Sequence, residues 1–114
     1  MPDRYDPDRK GVRRKLERVP ALEELAASVE LPLTHLAIGF TLAHPAVSAA
    51  IIGPRTMEQL EGLVGAGDVA LDDETLDRID EIVPPGTNLE VADGGWMAPA
   101  IAQAWRRRRP LGSR

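Results

Sequence analysis

The sequence predicts a mostly α-helical fold with one central strand. Between residues 12 and 29, apolar side chains recur every three or four positions, which is typical of one face of a helix. Residues 47–52 form a short, almost continuously apolar run bounded by proline and glycine, a pattern that favours a strand buried on both faces. An acidic first turn after Leu71 indicates the best-defined helix, at residues 73–83.

Prolines set the limits of the first two helices. Pro20 interrupts the first apolar pattern, so that helix either kinks or begins there. The second helix runs from about Pro32 to His44, because the residue before Pro45 is pushed out of helical geometry.

The helices on the far side of the strand differ in how clearly they are marked. A third helix spans residues 56–66, with its apolar residues predicted to face inward: Met57, Leu60, Leu63 and Val64. In the fourth, Asp72 can cap the free amides, and Leu71 can pack on Leu76 as a hydrophobic staple. We interpret the acidic residues 72–74 as a helix cap and not as a metal site.

The two ends of the chain are predicted to be irregular. Residues 1–11 are interpreted as a loop, and residues 84–114 as a long loop, a short helix near 98–106 and a basic tail. The arginines at 106–109 are expected to be solvated in a disordered tail.

Composition and charge limit the classes of function. The net charge is −4, yet residues 19–102 hold fourteen acids and only two bases, Arg55 and Arg78. Such a surface is poorly suited to nucleic acid, and no apolar run approaches the roughly 20 residues of a membrane span. The chain has no cysteine and its first ten residues do not resemble a signal peptide, so we expect a cytoplasmic protein with neither nucleic-acid nor membrane partners.

The turn after the predicted strand has the parts of an anion site. Gly53 would let a ligand approach the backbone, Pro54 would stiffen the turn, and Thr56 would cap the next helix. Arg55 offers a planar fork for phosphate, and Gln59 follows one helical turn later. The alternative interpretation is a capped connection whose arginine points into water.

Residues 45–60, with the core Ile-Ile-Gly-Pro-Arg-Thr-Met-Glu-Gln-Leu, resemble the eighth strand and eighth helix of the aldo-keto reductase family. Residues 33–45 resemble the end of the seventh helix, and residues 71–83 the extra C-terminal helix. The resemblance therefore implies a partial (β/α)8 TIM barrel over residues 12–83, followed by the family's variable tail. Such a barrel has about 250 residues, so more than half of it is absent and the chain is interpreted as truncated.

The resemblance implies that the turn binds the 2′-phosphate and ribose of NADPH through Gly53, Pro54, Arg55, Thr56 and Gln59. Where the family usually has Glu and Asn against adenine, this chain has Gly62 and Leu63, so adenine contacts are not implied. Family catalysis uses Tyr, Lys, Asp and His on earlier strands. No residue here matches them, because Tyr5 and Lys10 lie in the N-terminal segment and the two histidines are interpreted as structural.

Trp96 in the tail loop is a candidate for closing over the substrate site, although a tryptophan that clamps the tail to the barrel is equally consistent with its position.

Two other functions remain open. A lone buried strand leaves its amides and carbonyls unpaired, so residues 47–52 need partners from a larger sheet, from a complementing barrel fragment or from a second copy. The chain could accordingly be a small helical interaction or dimerisation protein without a cofactor. It could also be a non-catalytic nucleotide- or phosphate-binding module that keeps the Arg55 turn.

Overall fold

The computed structural model describes residues 6, 8–87, 89 and 98–114, and within them the fold is helical. The α-helices are Lys10–Leu16 (α1), Val19–Ser28 (α2), Leu33–Leu42 (α3), Met57–Val64 (α4), Asp73–Ile82 (α5) and Ala104–Arg107 (α6). Short 3-10 helices lie at Gly65–Asp68, Pro99–Ala102 and Leu111–Ser113.

The prolines act as the sequence predicts. Pro20 lies in the first turn of α2, where a missing amide costs nothing, so a new helix begins here and the first helix is not merely kinked. Pro32 is the N-cap of α3 with an extended backbone, and α3 ends at Leu42, just before His44 and Pro45.

The core lies where α2, α3 and α5 meet. Its largest fully buried side chains come one from each helix: Leu25, Leu36 and Leu76. Leu71 is 4% exposed in the same cluster, so the staple residues Leu71 and Leu76 are both buried as predicted. Gly39 of α3 allows this packing, because an added Cβ would come within 3.2 Å of the Leu71 side chain.

Asp72 caps α5 as predicted. One carboxylate oxygen accepts a hydrogen bond of 2.8 Å from the amide of Thr75. Hydrogen bonds from the Thr75 side chain and backbone hold the pKa of Asp72 below its ordinary value.

Replacing this cap should give a pH-dependent loss of stability. We expect Asp72→Ala to lower the free energy of unfolding by about 1 kcal/mol at neutral pH. Because the folded-state pKa is lowered, the contribution of Asp72 is present above its unfolded pKa of about 3.9 and disappears as pH falls through the folded value. Urea unfolding at several pH values measures this, and a difference between wild type and variant that persists at acid pH would contradict the role of the charge.

The prediction of a central strand in a partial barrel is wrong. The described residues contain no strand, and residues 47–54 lie outside any regular helix or strand and have no sheet partner. Ile51 is fully exposed and Ile52 is 39% exposed, so this apolar segment is not buried on both faces. The physical reason is that a strand needs a partner for its amides and carbonyls. No other part of the described chain supplies a strand to pair with residues 47–52.

The predicted inward face of α4 is also wrong in part. Met57 and Val64 are 67% and 66% exposed, whereas Leu60 and Leu63 are half-buried. Only the Leu60 and Leu63 side of α4 is partly covered, so the other apolar residues remain in solvent.

The basic tail, predicted to be disordered, instead packs on the molecule. Arg107 and Arg108 form ion pairs with Asp80 at 3.0 Å and 2.7 Å. The prediction of a disordered tail is therefore wrong, because the arginines find acidic partners on α5 in the folded chain.

None of the described helices is by itself long and apolar enough to cross a membrane, although a bent pair at residues 10–28 and 33–42 passes on length and composition alone.

Candidate functional site

The turn at residues 53–59 is held by two reciprocal hydrogen bonds. Thr56 is the N-cap of α4, and its hydroxyl accepts a 3.2 Å hydrogen bond from the amide of Gln59. The side-chain oxygen of Gln59 reaches back and accepts a 2.8 Å hydrogen bond from the amide of Arg55. This arrangement resembles a capping box, displaced by one residue at its N-terminal side. Residues 55–59 are therefore locally ordered by their own side chains.

The guanidinium of Arg55 takes no part in the hydrogen bonds that hold this turn. Its side chain is exposed and makes no hydrogen bond or ion pair with any residue in the described part of the chain. Arg78 is the other basic residue of the acidic middle segment, residues 19–102. It donates a 3.0 Å hydrogen bond from Nη1 to the Ser28 hydroxyl. Of these two arginines, Arg78 is held by a partner on α2, whereas the guanidinium of Arg55 has no partner among the described residues.

An open cleft of about 560 Å³ lies between α3 and the turn. Of the five predicted cofactor residues, the structure places Gly53, Pro54 and Gln59 on its wall, whereas Arg55 and Thr56 are outside the lining. The remaining lining residues are Thr34, Ala37 and Ile38 of α3, together with Ile52, Gly62 and Leu63.

Sequence analysis missed the contribution of α3 to this cleft. Residues 34, 37 and 38 are spaced by three and four positions and so share one helix face. That spacing is a signal in the sequence, because it marks a second face of α3 beside the face that contacts the core.

Glycine leaves room at two points of the cleft. An added Cβ at Gly53 or Gly62 would meet no atom within 4 Å, so a ligand can approach the backbone at both positions.

The two histidines are held by hydrogen bonds to the backbone. The Gly62 carbonyl bonds at 2.7 Å with His35 Nε2, which ties α3 to α4. His44 Nδ1 accepts a 3.1 Å hydrogen bond from the amide of Ala46. Each histidine thus has a hydrogen-bond partner on the backbone of the fold.

The described residues contain no arrangement of side chains for acid–base catalysis in this cleft. Lys10 begins α1 and is not part of the cleft lining. Tyr5 and Trp96, the substrate-loop candidate, both lie outside the described residues. No cluster of three or more histidine or acidic side chains within the described ranges could hold a metal ion.

The sequence profile of the Aldo/keto reductase family matches residues 1–84, nearly three quarters of the chain. The chain belongs to this family. The match includes α1 to α5 and the whole of the turn at residues 53–59.

A curated relative, an uncharacterized oxidoreductase named YrpG from Bacillus subtilis (strain 168), is 43% identical over 53 residues. The matched stretch covers 46% of this chain but only 16% of the relative. No solved structure matches the chain.

Proposed function

We propose that this chain is the cofactor-binding C-terminal part of an NADPH-dependent aldo-keto reductase. Gly53, Pro54, Arg55, Thr56 and Gln59 would hold the 2′-phosphate end of NADPH. The observation that carries the proposal is the exposed guanidinium of Arg55, which has no partner among the described residues and belongs to a turn already ordered by Thr56 and Gln59.

The physical chemistry of the turn suits a phosphate. The amides of Met57 and Glu58 lie in the first turn of α4, where they have no acceptor within the helix, and the helix dipole favours an anion there. Arg55 adds a charged fork that can bond two phosphate oxygens at once. Because the carboxylate of Glu58 is in the same turn and opposes an anion, we attribute the attraction chiefly to Arg55.

The cleft fits the rest of the nucleotide less completely. Gly62 and Leu63 line it where the family usually has a carboxylate and an amide, so the wall can contact adenine only through apolar atoms and backbone. We therefore assign the 2′-phosphate, and not the base, as the part that this chain recognises.

Reduction of a carbonyl by hydride transfer is the chemistry that NADPH supplies in this family. The chain has no tyrosine, lysine, aspartate or histidine in the matching catalytic roles, and the matched stretch covers only 16% of its oxidoreductase relative. We accordingly propose cofactor binding without turnover by this chain alone.

Titration with NADPH and with NADH, followed by calorimetry, tests the proposal. A charge-assisted hydrogen bond contributes about 1.5–3 kcal/mol, so NADPH should bind at least about tenfold more tightly than NADH. The preference should shrink as salt is added, because the contact is ionic and exposed. Equal affinities for the two nucleotides would exclude a phosphate-specific site.

A second candidate, self-association, is favoured by the exposure of the segment 47–52. Ile51 is fully exposed, and Met57 and Val64, a few residues further along the chain, are also exposed apolar side chains. A second copy could cover these side chains without any cofactor. Sedimentation as a dimer combined with no NADPH binding would favour this function, whereas a monomer that binds NADPH would favour the first.

A further inference from the structure

The last twelve residues lie across two separate parts of the fold. On one side, arginines of residues 103–114 contact the acidic face of α5. On the other, Arg109 contacts Ala43 at the end of α3 and Val47. We name residues 103–114 the C-terminal strap.

The contact with α5 is a row of ion pairs. Asp73, Asp77 and Asp80 are spaced by four and three residues and therefore lie on one helix face. Arg107 bonds Asp80 through both of its terminal nitrogens, at 3.0–3.2 Å. Such a two-pronged pair is stronger and more specific than a single contact between point charges.

Two further arginines complete the row. Arg108 contacts Asp80 at 2.7 Å and Asp77 at 2.8 Å, and Arg114 contacts Asp73 at 2.6 Å. The side chains of Arg108 and Arg114 are only 10% and 4% exposed. Partial burial by itself lowers the pKa of Arg108, but the hydrogen bonds to Asp77 and Asp80 outweigh it and the pKa is raised.

The second contact is made by Arg109. Its amide donates a 2.7 Å hydrogen bond to the carbonyl of Ala43, and its guanidinium donates a 2.6 Å hydrogen bond to the carbonyl of Val47. These bonds satisfy one carbonyl at the C-terminal end of α3 and one at the start of residues 47–54, which have no sheet partner in the described chain. The strap thus holds residues 43–47 to α5.

A cleft of about 280 Å³ lies beneath the strap. Its walls include Phe40 and Val47 on one side, Leu76 on another, and Arg107 and Arg108 of the strap itself. One polar atom of the strap lacks a hydrogen bond: the buried Nε of Arg107 has no partner among the described residues.

We propose that residues 103–114 form an ionic strap that closes the cleft between α3 and α5 and opens when its arginine–aspartate pairs are screened. Opening raises the exposure of Val47 and Leu76 and releases the segment that leads to the turn at residues 53–59. The strap is a conformational device of the fold, and it does not depend on whether that turn binds NADPH.

Limited proteolysis of the full chain with trypsin tests the proposal, because trypsin cleaves after the arginines that form the strap. A synthetic peptide of residues 103–114 gives the intrinsic cleavage rate at each salt concentration. At about 0.1 M salt, where the screening length is about 10 Å, cleavage after Arg106–Arg108 should be about tenfold slower in the chain than in the peptide. At about 1 M salt the difference between the two rates should become smaller, because Asp73 and Asp77 are exposed and screened, whereas the pairs of the less exposed Asp80 are screened less.

Asp80→Asn should open the strap at low salt and raise the cleavage rate there about tenfold, since Asp80 accepts from both Arg107 and Arg108. Glu81→Gln is the matched control, because it removes one negative charge from the next position of α5 and Glu81 has no ion pair within the described residues. The control should leave the rate unchanged.

Two outcomes would overturn the strap. One is a chain that is cleaved at the peptide's rate at every salt concentration, and the other is an equal effect of Asp80→Asn and Glu81→Gln. Far-ultraviolet circular dichroism separates opening from general unfolding. If Asp80→Asn unfolds the chain, the exposed Asp77→Asn variant replaces it and should give a smaller increase in cleavage with the helix content intact.

Discussion

Leu36→Ala is expected to lower the free energy of unfolding by about 3 kcal/mol, the largest stability effect that we predict for a single substitution. Leu36 is 2% exposed at the point where α2, α3 and α5 meet, so truncation removes apolar contacts and leaves a cavity. Since a domain has an ordinary total stability of about 5–15 kcal/mol, a loss of about 3 kcal/mol is large for the small core of the described chain. Urea unfolding followed by far-ultraviolet circular dichroism measures the change.

Two control variants make this prediction specific. Leu36→Met keeps the volume and the apolar character, so it should cost less than about 1.5 kcal/mol. Leu16→Ala makes the same truncation at a side chain that is 53% exposed, and we expect it to have little effect. A Leu36→Ala variant as stable as Leu16→Ala would show that α3 is not part of a packed core.

The helices and their ends could be predicted from the sequence because their signals are local. Pro20, Pro32 and Pro45 act through backbone geometry within one or two residues, and Asp72 caps the amide of Thr75 only three residues away. No distant part of the chain has to be known for such effects. The staple of Leu71 and Leu76 was predictable for the same reason.

The central strand could not be predicted correctly, because a strand is defined by its partners. Residues 47–52 have the composition of a buried parallel strand. In the described chain, however, nothing pairs with them, and Ile51 is left in solvent. Local composition can suggest a buried strand, but whether the strand forms depends on residues elsewhere that pair with it.

The position of the basic tail is a second failure with a similar cause. The arginines at 106–109 lack any periodic pattern, so on their own they indicate a solvated tail. Their partners, Asp77 and Asp80, are 27 or more residues away and become neighbours only after α5 has formed. Long-range ion pairs of this kind are not encoded by local spacing.

The cap at the start of α4 could be predicted from the sequence, but the internal bonding of the turn could not. The sequence placed Thr56 at the N-cap and Arg55 before it, and the structure has both there. It did not predict that Gln59 would accept from the Arg55 amide. That bond uses the side-chain oxygen of Gln59, so in the structure this residue orders the turn, and the proposed phosphate contact rests more heavily on Arg55.

Arg55→Ala is expected to weaken NADPH binding about 10- to 100-fold, because it removes a charge-assisted hydrogen bond worth about 1.5–3 kcal/mol. The turn itself should survive, since its hydrogen bond to Gln59 comes from the Arg55 backbone and not from the guanidinium. NADH, which lacks the 2′-phosphate, should bind the variant and the wild type equally. Calorimetric titration of both nucleotides against both proteins measures the expected difference.

Matched variants decide whether the loss belongs to this guanidinium or to charge in general. Arg78→Ala removes the other cation of the acidic middle segment, but its Nη1 is bonded to Ser28, so we expect NADPH affinity to stay the same. Arg55→Lys should fall between wild type and Arg55→Ala, since lysine keeps the charge and loses the planar fork. If Arg78→Ala and Arg55→Ala weaken NADPH equally, the effect is one of net charge and the phosphate contact at Arg55 is excluded. If Arg55→Ala also weakens NADH to the same degree, the arginine binds some part of the dinucleotide other than the 2′-phosphate.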